Sequence, residues 1–536
     1  MNIKTLADSV STRPWLPALA LGLACLAYYA VYFDAGFNFS DEGNYVQFVY
    51  ELWRGTSLND LPVSYGFLWF KLGEGLFHLF GPDLLAARAL FFAFAFATVL
   101  LVYAALVIVT RHPWFAALIA AVPAIAPSFL PTAFYGFCIL VNVVPQLMLA
   151  RSLDRPRLAD AAIAGAALAL SFQIRPDFGY IFCVPLAMLL IAAGLRAGRL
   201  VGLFAAAAAG FAVAHLPVLY LALSDGYLGA LISQYLSYPV MLADYAVRGI
   251  AALGGGATDT TAAGTLLARP RLFGAASANE FQLALLIYLP ILVIGAFAIF
   301  NAARLGRAPQ RMTHAATALV ILVAGAAALP HYFFYRPDLS HIANFMPGFA
   351  VLAGAFIWQI GQSAPRKVMM LLPALSAVTL ALYLAEALTQ EGTGSIAGSF
   401  ARTERFDADN GVHVRVNAGE KSLLEDLRTV IDANSRPGDT IVCVPYCPGI
   451  AFMTGRRLLF REQYVDDALP LRDPQWLGRA IASTEEKRPP VVIVMDWAIN
   501  GTDISRFSHW AAPYMEALEN LKREKLERPG LSIYLL

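Results

Sequence analysis

Two adjacent acids, Asp41 and Glu42, stand in the stretch FNFSDEGNYVQFVYELWRG, just after an apolar run, WLPALALGLACLAYYAVY. A carboxylate so placed can take a proton from a hydroxyl. Other ionisable groups recur at the ends of apolar runs. Lys71, Glu74 and His78 follow in the next polar stretch, and Arg88 opens the apolar run after it. Arg175 and Asp177 sit in FQIRPDFGY; Arg336, Asp338 and His341 sit in YRPDLSHIANFMP. Arginines hold a phosphate through paired N–H donors and stabilise it as it leaves. Acids for proton abstraction beside cations for an anion suit group transfer at a membrane surface. Ionisable groups next to a bilayer are costly, and mark function by default.

Each residue also has a structural reading. Ser40 is a candidate N-cap, with Asp41 and Glu42 favourable in the first turn of a helix over 41–54. Capping and catalysis are compatible. Arg88, Arg175 and Arg336 can equally anchor helix ends among lipid headgroups. His341, three residues after Asp338, is a phosphate donor, a packed histidine or, least favoured for a lone pair, a metal ligand. Cys443 and Cys447, in VCVPYCPG, bond if the Pro-Tyr turn folds tightly, and as a zinc site they lack partners. Cys25, Cys138 and Cys183 read as buried hydrophobes.

The elements that must position these groups are membrane helices. The 536 residues are 58% hydrophobic and only 14% charged, against about a quarter charged in a soluble protein. The apolar runs predict eleven helices, near 13–33, 83–108, 113–130, 133–150, 158–175, 178–195, 200–223, 280–301, 314–330, 342–361 and 368–388. The first is read as a retained helix, because no small-x-small cleavage site precedes Asp34. Lys4, Arg13, Arg111, Arg151, Arg155, Arg157, Arg196, Arg199, Arg304, Arg307, Arg311, Arg366 and Lys367 all fall on the side of the N-terminus. The positive-inside rule makes that side cytoplasmic. The loops 34–82 and 224–279, the turns at Arg175 and Arg336, and the tail then lie outside.

Two aromatic helices are expected within 34–82, over DEGNYVQFVYELW and SYGFLWFKLGEGLFHLFG, lying in the interface. In the first, Tyr45, Phe48, Val49 and Leu52 share a face. The loop 224–279, with ALGGGATDTTAAGT, suits a lid or an idle linker. The chain divides into a membrane domain, 1–388, and a tail, 389–536. In the tail, SLLEDLRTVIDAN and RDPQWLGRAIAS read as helices and DTIVCVP, PPVVIVMDW and LSIYLL as strands, a small α/β layer. No nucleotide-binding glycine loop and no basic patch for nucleic acid is present.

The acid pair after the first helix resembles the first external loop of the GT-C glycosyltransferases. VSYGFLWFKLGEGLFHLFGPDLLAARALFFAF resembles their interfacial helix, turn and arginine opening the second helix. The Arg-Pro-Asp at 175–177 and VCVPYCPGIAFMTGRRLLFRE are similar to segments of bacterial members. The nearest group is the protein-mannosyltransferase-like and aminoarabinose-transferase-like relatives, with the rhizobial lipopolysaccharide glycosyltransferases. The chain departs from them in having Val63-Ser64-Tyr65-Gly66-Phe67 where many show His-Gly-Pro.

The resemblance implies a polyprenyl-phosphate monosaccharide donor and a cell-envelope acceptor: lipopolysaccharide, another glycan or a protein. It implies a bacterial inner membrane with the tail in the periplasm. Asp41 would activate the acceptor hydroxyl for one inverting attack. Glu42 would position it or hold a divalent cation, the only cofactor in view. Arg88, Arg175, Arg336 and His341 would bind the leaving lipid phosphate, with Tyr45, Lys71, Asp177 and Asp338 in support. Three rivals stand. An oligosaccharide ligase would use a lipid diphosphate. A transporter would want ionisable groups at the bilayer midplane. A sensor would not need the acids of the first loop.

Overall fold

A computed structural model describes residues 14–61, 65–125, 130–253, 270–305, 311–335, 337–362, 370–389, 396–467, 469–499 and 503–536. Lys4, Arg13, Val63, Ser64, Arg307, Arg336, Arg366, Lys367 and most of the Gly/Ala-rich stretch lie outside the described residues.

Helices carry the first part of the chain. They begin with α1 (Trp15–Tyr32), α2 (Asp41–Trp53), α3 (Phe67–Phe80), α4 (Leu84–Thr110) and α5 (Pro113–Ile125). Next come α6 (Phe134–Arg151), α7 (Leu158–Ile174), α8 (Pro176–Ala197), α9 (Leu200–Ser224) and α10 (Leu228–Leu253). The last are α11 (Ala278–Leu305), α12 (Arg311–Ala326), α13 (Leu339–Gly361) and α14 (Leu371–Thr389). Among the described residues, 8 helical segments are long and apolar enough to cross a bilayer. Shorter apolar helices cover Trp15–Val31, Pro113–Ile125 and Leu158–Ile174, where three more crossings are expected. The chain is a multi-pass membrane protein.

Small residues let the bundle close. A Cβ on Gly165 of α7 would fall 1.9 Å from the Ala207 carbonyl oxygen of α9, so the two backbones are in direct contact. One end of the bundle gathers arginines. Arg151 donates to the Val109 carbonyl, Arg196 pairs with Asp154, and Arg151, Arg155 and Arg157 line an open hollow. Arg88 is at the start of α4 and this basic cluster at its other end. The stretch of α4 from Arg88 to Thr110 separates them by roughly 33 Å.

The loop expected over 224–279 is helical in its first half. α10 packs on a π-helical turn at Pro330–Tyr335, burying Leu231 and Tyr238. The glycines that marked the stretch as irregular begin only after this helix.

The tail opens with a hairpin, β1 (Glu404–Ala408) and β2 (Val412–Val416), then α15 (Ala418–Asn434) with an Asn417–Glu420 capping box. β3 (Thr440–Val444), α16 (Pro448–Met453), β4 (Arg457–Leu458), α17 (Trp476–Lys487) and β5 (Val491–Met495) follow. α18 (Ala512–Leu521), β6 (Glu524–Arg528) and β7 (Leu531–Leu535) end the chain. The sheet order is β4-β3-β5-β7-β6, with β3 parallel to β4 and β5, and β7 antiparallel to β5 and β6. This is the expected α/β layer. One face of the sheet joins the same continuous core as the membrane helices, and the other packs on α17 and α18.

Candidate functional site

α2 carries Asp41, and almost all of it is buried, from Glu42 to Leu52. The expected interfacial helix is therefore an interior one. Its apolar residues run all the way round, and such a helix is stable only when covered on every side. α3 covers one side, where Phe48 stacks on Phe70 at 4.0 Å and Tyr45 meets Trp69 at 4.8 Å. α16 covers another, where Tyr50 meets Phe452 edge-on. Gly43 and Gly449 make this approach possible: a Cβ on Gly43 would sit 2.5 Å from the Gly449 backbone.

Ser40 does not cap α2 through its side chain. Asn38 Oδ1 accepts from the N–H groups of Ser40 and Asp41, at 3.0 Å each, while Ser40 Oγ donates to the Tyr446 carbonyl at 2.8 Å. The cap is two residues earlier than expected, because the serine hydroxyl is taken by the tail.

Glu42 faces away from Asp41 in function. Its two carboxylate oxygens accept from Arg88 Nε at 2.6 Å and Nη2 at 2.8 Å, and both side chains are buried. Arg88 also donates to the carbonyls of Phe33 and Gly36. Four hydrogen bonds thus engage a guanidinium with five N–H groups, leaving little for a phosphate. The pair ties α1, α2 and α4 together.

Asp41 lines a narrow pocket with Asn44, Tyr45, Tyr65, Trp69, Phe70, Pro131, Thr132 and Tyr446. Aromatic faces and a few polar atoms suit a sugar ring. Tyr446 Oη donates to Asp41 Oδ1 at 2.7 Å. Burial, and then the neighbouring Asp41 charge, push the Tyr446 phenol well above its usual range, so it stays a neutral donor.

Arg175 stands behind this pocket. Its Nε donates to both oxygens of Asp177, at 2.9 and 3.1 Å. Its guanidinium lies 4.3 Å from the Tyr135 ring centroid and 5.4 Å from that of Tyr65. Among the described residues, no acceptor meets its two terminal nitrogens, although the residue is buried. His341 Nδ1 lies 2.7 Å from Asp338 Oδ1, which also accepts from the His341 N–H. The His341 ring stacks on His331 at 5.1 Å, and His331 meets Tyr135 edge-on at 5.6 Å. Arg175, Asp177, Asp338 and His341 thus belong to one cluster, joined through Tyr135 and His331. Arg336 lies outside the described residues.

Lys71 is elsewhere. Its ammonium bridges Glu74 and Asp225 at 2.5 Å each, fastening α3 to the end of α9. Burial alone would lower its proton affinity, but the two carboxylates more than offset this and hold it above its usual value. No three His, Cys, Asp or Glu side chains among the described residues converge as a metal site.

The tail reaches the site through the segment noted for its Gly-Arg-Arg. Cys443 and Cys447 form a disulfide, with Cα atoms 5.5 Å apart, around the turn that carries Tyr446. Arg456 is buried and held by Ser435 and Asp432, and Arg457 pairs with Glu51 of α2 at 2.7 Å. Gly449 N–H donates to the Phe39 carbonyl at 2.8 Å. Cys183, expected inside, is exposed on the outer side of α8 beside Val184. Tyr65, Thr132, Tyr135, His331 and Tyr446 are absent from the sequence-based site. Tyr446 carries a visible signal in its place between two cysteines, and Tyr65 in its place within the segment that departs from the His-Gly-Pro pattern.

No family model matches the chain, and no curated protein sequence matches it. Among solved structures, it is similar to ArnT from Cupriavidus metallidurans bound to undecaprenyl phosphate. The TM-score is 0.50, with 11% identity over 96% of this chain and 97% of that one. The apo state of the same protein gives a TM-score of 0.48, with 12% identity over 97% of each chain. At this identity the likeness is one of fold: the chain has a GT-C-type fold.

Proposed function

We propose that this chain is an inverting glycosyltransferase that moves a monosaccharide from a polyprenyl phosphate to a cell-envelope acceptor. The observation that carries this reading is a carboxylate in an aromatic-lined pocket with an underused arginine behind Tyr65, which forms one wall of that pocket. The similar ArnT structure is bound to undecaprenyl phosphate, which supports a lipid-phosphate donor. The sugar lies at the mouth of the pocket, near Asp41 and the aromatic faces of Tyr45, Tyr65 and Trp69. The lipid phosphate lies against the terminal nitrogens of Arg175, with His341 and His331 beyond.

Asp41 takes the proton of the acceptor hydroxyl as its oxygen bonds to the anomeric carbon. The bond from that carbon to the phosphate oxygen breaks, and its electron pair leaves with the polyprenyl phosphate. Arg175 stabilises the charge gained there. The proton departs from Asp41 to solvent. Glu42 and Arg88 hold the frame. The site end of the bundle faces the periplasm and the arginine-rich end the cytoplasm, as the positive-inside rule requires.

The test uses the purified chain in nanodiscs, with envelope extract as acceptor. Undecaprenyl-phosphate-linked glucose, mannose, galacturonic acid and aminoarabinose are supplied in turn, and free undecaprenyl phosphate is measured. Release is expected with one of them, and Asp41→Asn lowers it at least a hundredfold, as loss of a general base does. Near-wild-type release by folded Asp41→Asn would remove Asp41 from the reaction. Release only from a diphosphate-linked oligosaccharide would favour a ligase.

A further inference from the structure

We propose that Tyr446, supplied by the tail, is a positioning residue for Asp41, so that the membrane helices and the C-terminal layer share one active site. The inference rests on the reading of Asp41 as the general base. Three observations carry it, and they lie on different elements.

The first is the contact itself: Tyr446 Oη donates to Asp41 Oδ1 at 2.7 Å, across 405 residues of sequence. A carboxylate has two oxygens and a free torsion about its last bond. A donor on one oxygen fixes that torsion, and with it the direction in which the carboxylate faces the pocket. The second is the fixation of Tyr446. Its carbonyl accepts from Ser40 Oγ, its ring packs edge-on against Tyr464 at 4.8 Å, and the Cys443–Cys447 disulfide closes the turn around it. A side chain that orients another must itself be held. The third is the seat of the turn. The Gly449 N–H bonds the Phe39 carbonyl, and the glycine pair sets α16 directly on α2. Asp41 is therefore gripped from both sides, by Asn38 at its backbone and Tyr446 at its carboxylate.

Tyr446 also lines the pocket, so its role could be read as sugar binding alone. The two roles separate kinetically. An orienting donor acts on the chemical step and lowers kcat, whereas a sugar contact raises the KM for the donor.

The experiment compares full-length Tyr446→Phe with wild type in nanodiscs, using whichever undecaprenyl-phosphate monosaccharide of the four supports release. The expected result is a kcat lower by tenfold or more, with the donor KM within twofold. Binding of undecaprenyl phosphate and the unfolding temperature serve as folding controls and stay at wild-type values. Cys443→Ser with Cys447→Ser, which frees the turn but keeps the phenol, gives a smaller loss of kcat in the same direction. A Tyr446→Phe kcat within twofold of wild type, or a loss confined to KM, overturns the proposal. If Asp41→Asn abolishes release and Tyr446→Phe does not alter it, the positioning role alone falls. If Asp41→Asn retains release, the base assignment itself falls.

Discussion

Asp41, Glu42, Arg88 and Arg175 show what a single residue can reveal about its task. The adjacent acids are indistinguishable in the sequence, yet one lines the pocket and the other is locked to Arg88. Likewise Arg88 and Arg175 both follow a membrane boundary, but only Arg175 keeps terminal nitrogens without an acceptor among the described residues. The difference depends on partners such as Glu42, 46 residues from Arg88, and local reading cannot supply them. The two arginines therefore fail differently when removed. Arg175→Ala should weaken undecaprenyl phosphate binding about tenfold or more, since a charge-assisted hydrogen bond contributes roughly 1.5–3 kcal/mol, and should also lower stability, because it strands the buried Asp177 carboxylate. Arg88→Ala should destabilise the protein by about 3–5 kcal/mol, because it strands a buried carboxylate. Lipid binding by microscale thermophoresis, alongside thermal unfolding, checks both. Unchanged binding by Arg175→Ala would return Arg175 to the role of a structural anchor. Asp41 was legible because an acid at a membrane exit is costly. Tyr446 and His331 were not, because a tyrosine or histidine among apolar residues has an ordinary place in a core.

The elements were easier to read than their surroundings. Hydropathy marks a membrane helix wherever it packs, so each expected apolar segment coincides with an apolar helix. α2 was legible as a helix but not as a buried one, since the sequence shows its apolar girth and not what covers it. The hairpin of β1 and β2 has its sequence signal in its turn. Asn410 and Gly411, both at left-handed φ of 52° and 62°, form the Asn-Gly turn that favours a hairpin. α10 was hidden by the glycines after it. The glycine contact between α2 and α16 makes a prediction for these elements. Gly43→Ala must push two backbones apart, at a cost of about 1–3 kcal/mol or more, and should lower both the unfolding temperature and the rate of release. Gly75→Ala, with open space around its Cβ, is the control. Equal unfolding temperatures for the two variants would mean that α2 and α16 are not in contact.

At the scale of the whole molecule, the membrane helices and the tail pack on each other. The core continues from the membrane helices into the tail, and salt bridges such as Arg457–Glu51 and Arg415–Asp34 link the two. Sidedness can be tested on intact cells. A cysteine placed at exposed Glu425 should react with a membrane-impermeant maleimide from outside, and one at exposed Arg155 only after permeabilisation. The reverse pattern would place the site on the cytoplasmic face, where the proposed use of a lipid-linked donor loses its main reason. The tight seat of Tyr446 against Asp41 also has a consequence in time. Synthesis runs from the N-terminus, so the ribosome adds 405 residues between the two. At the usual 5–20 residues per second this takes roughly 20–80 s. On the proposed reading, a nascent chain that has already inserted its first helices lacks part of its active site until the segment that carries Tyr446 has been made.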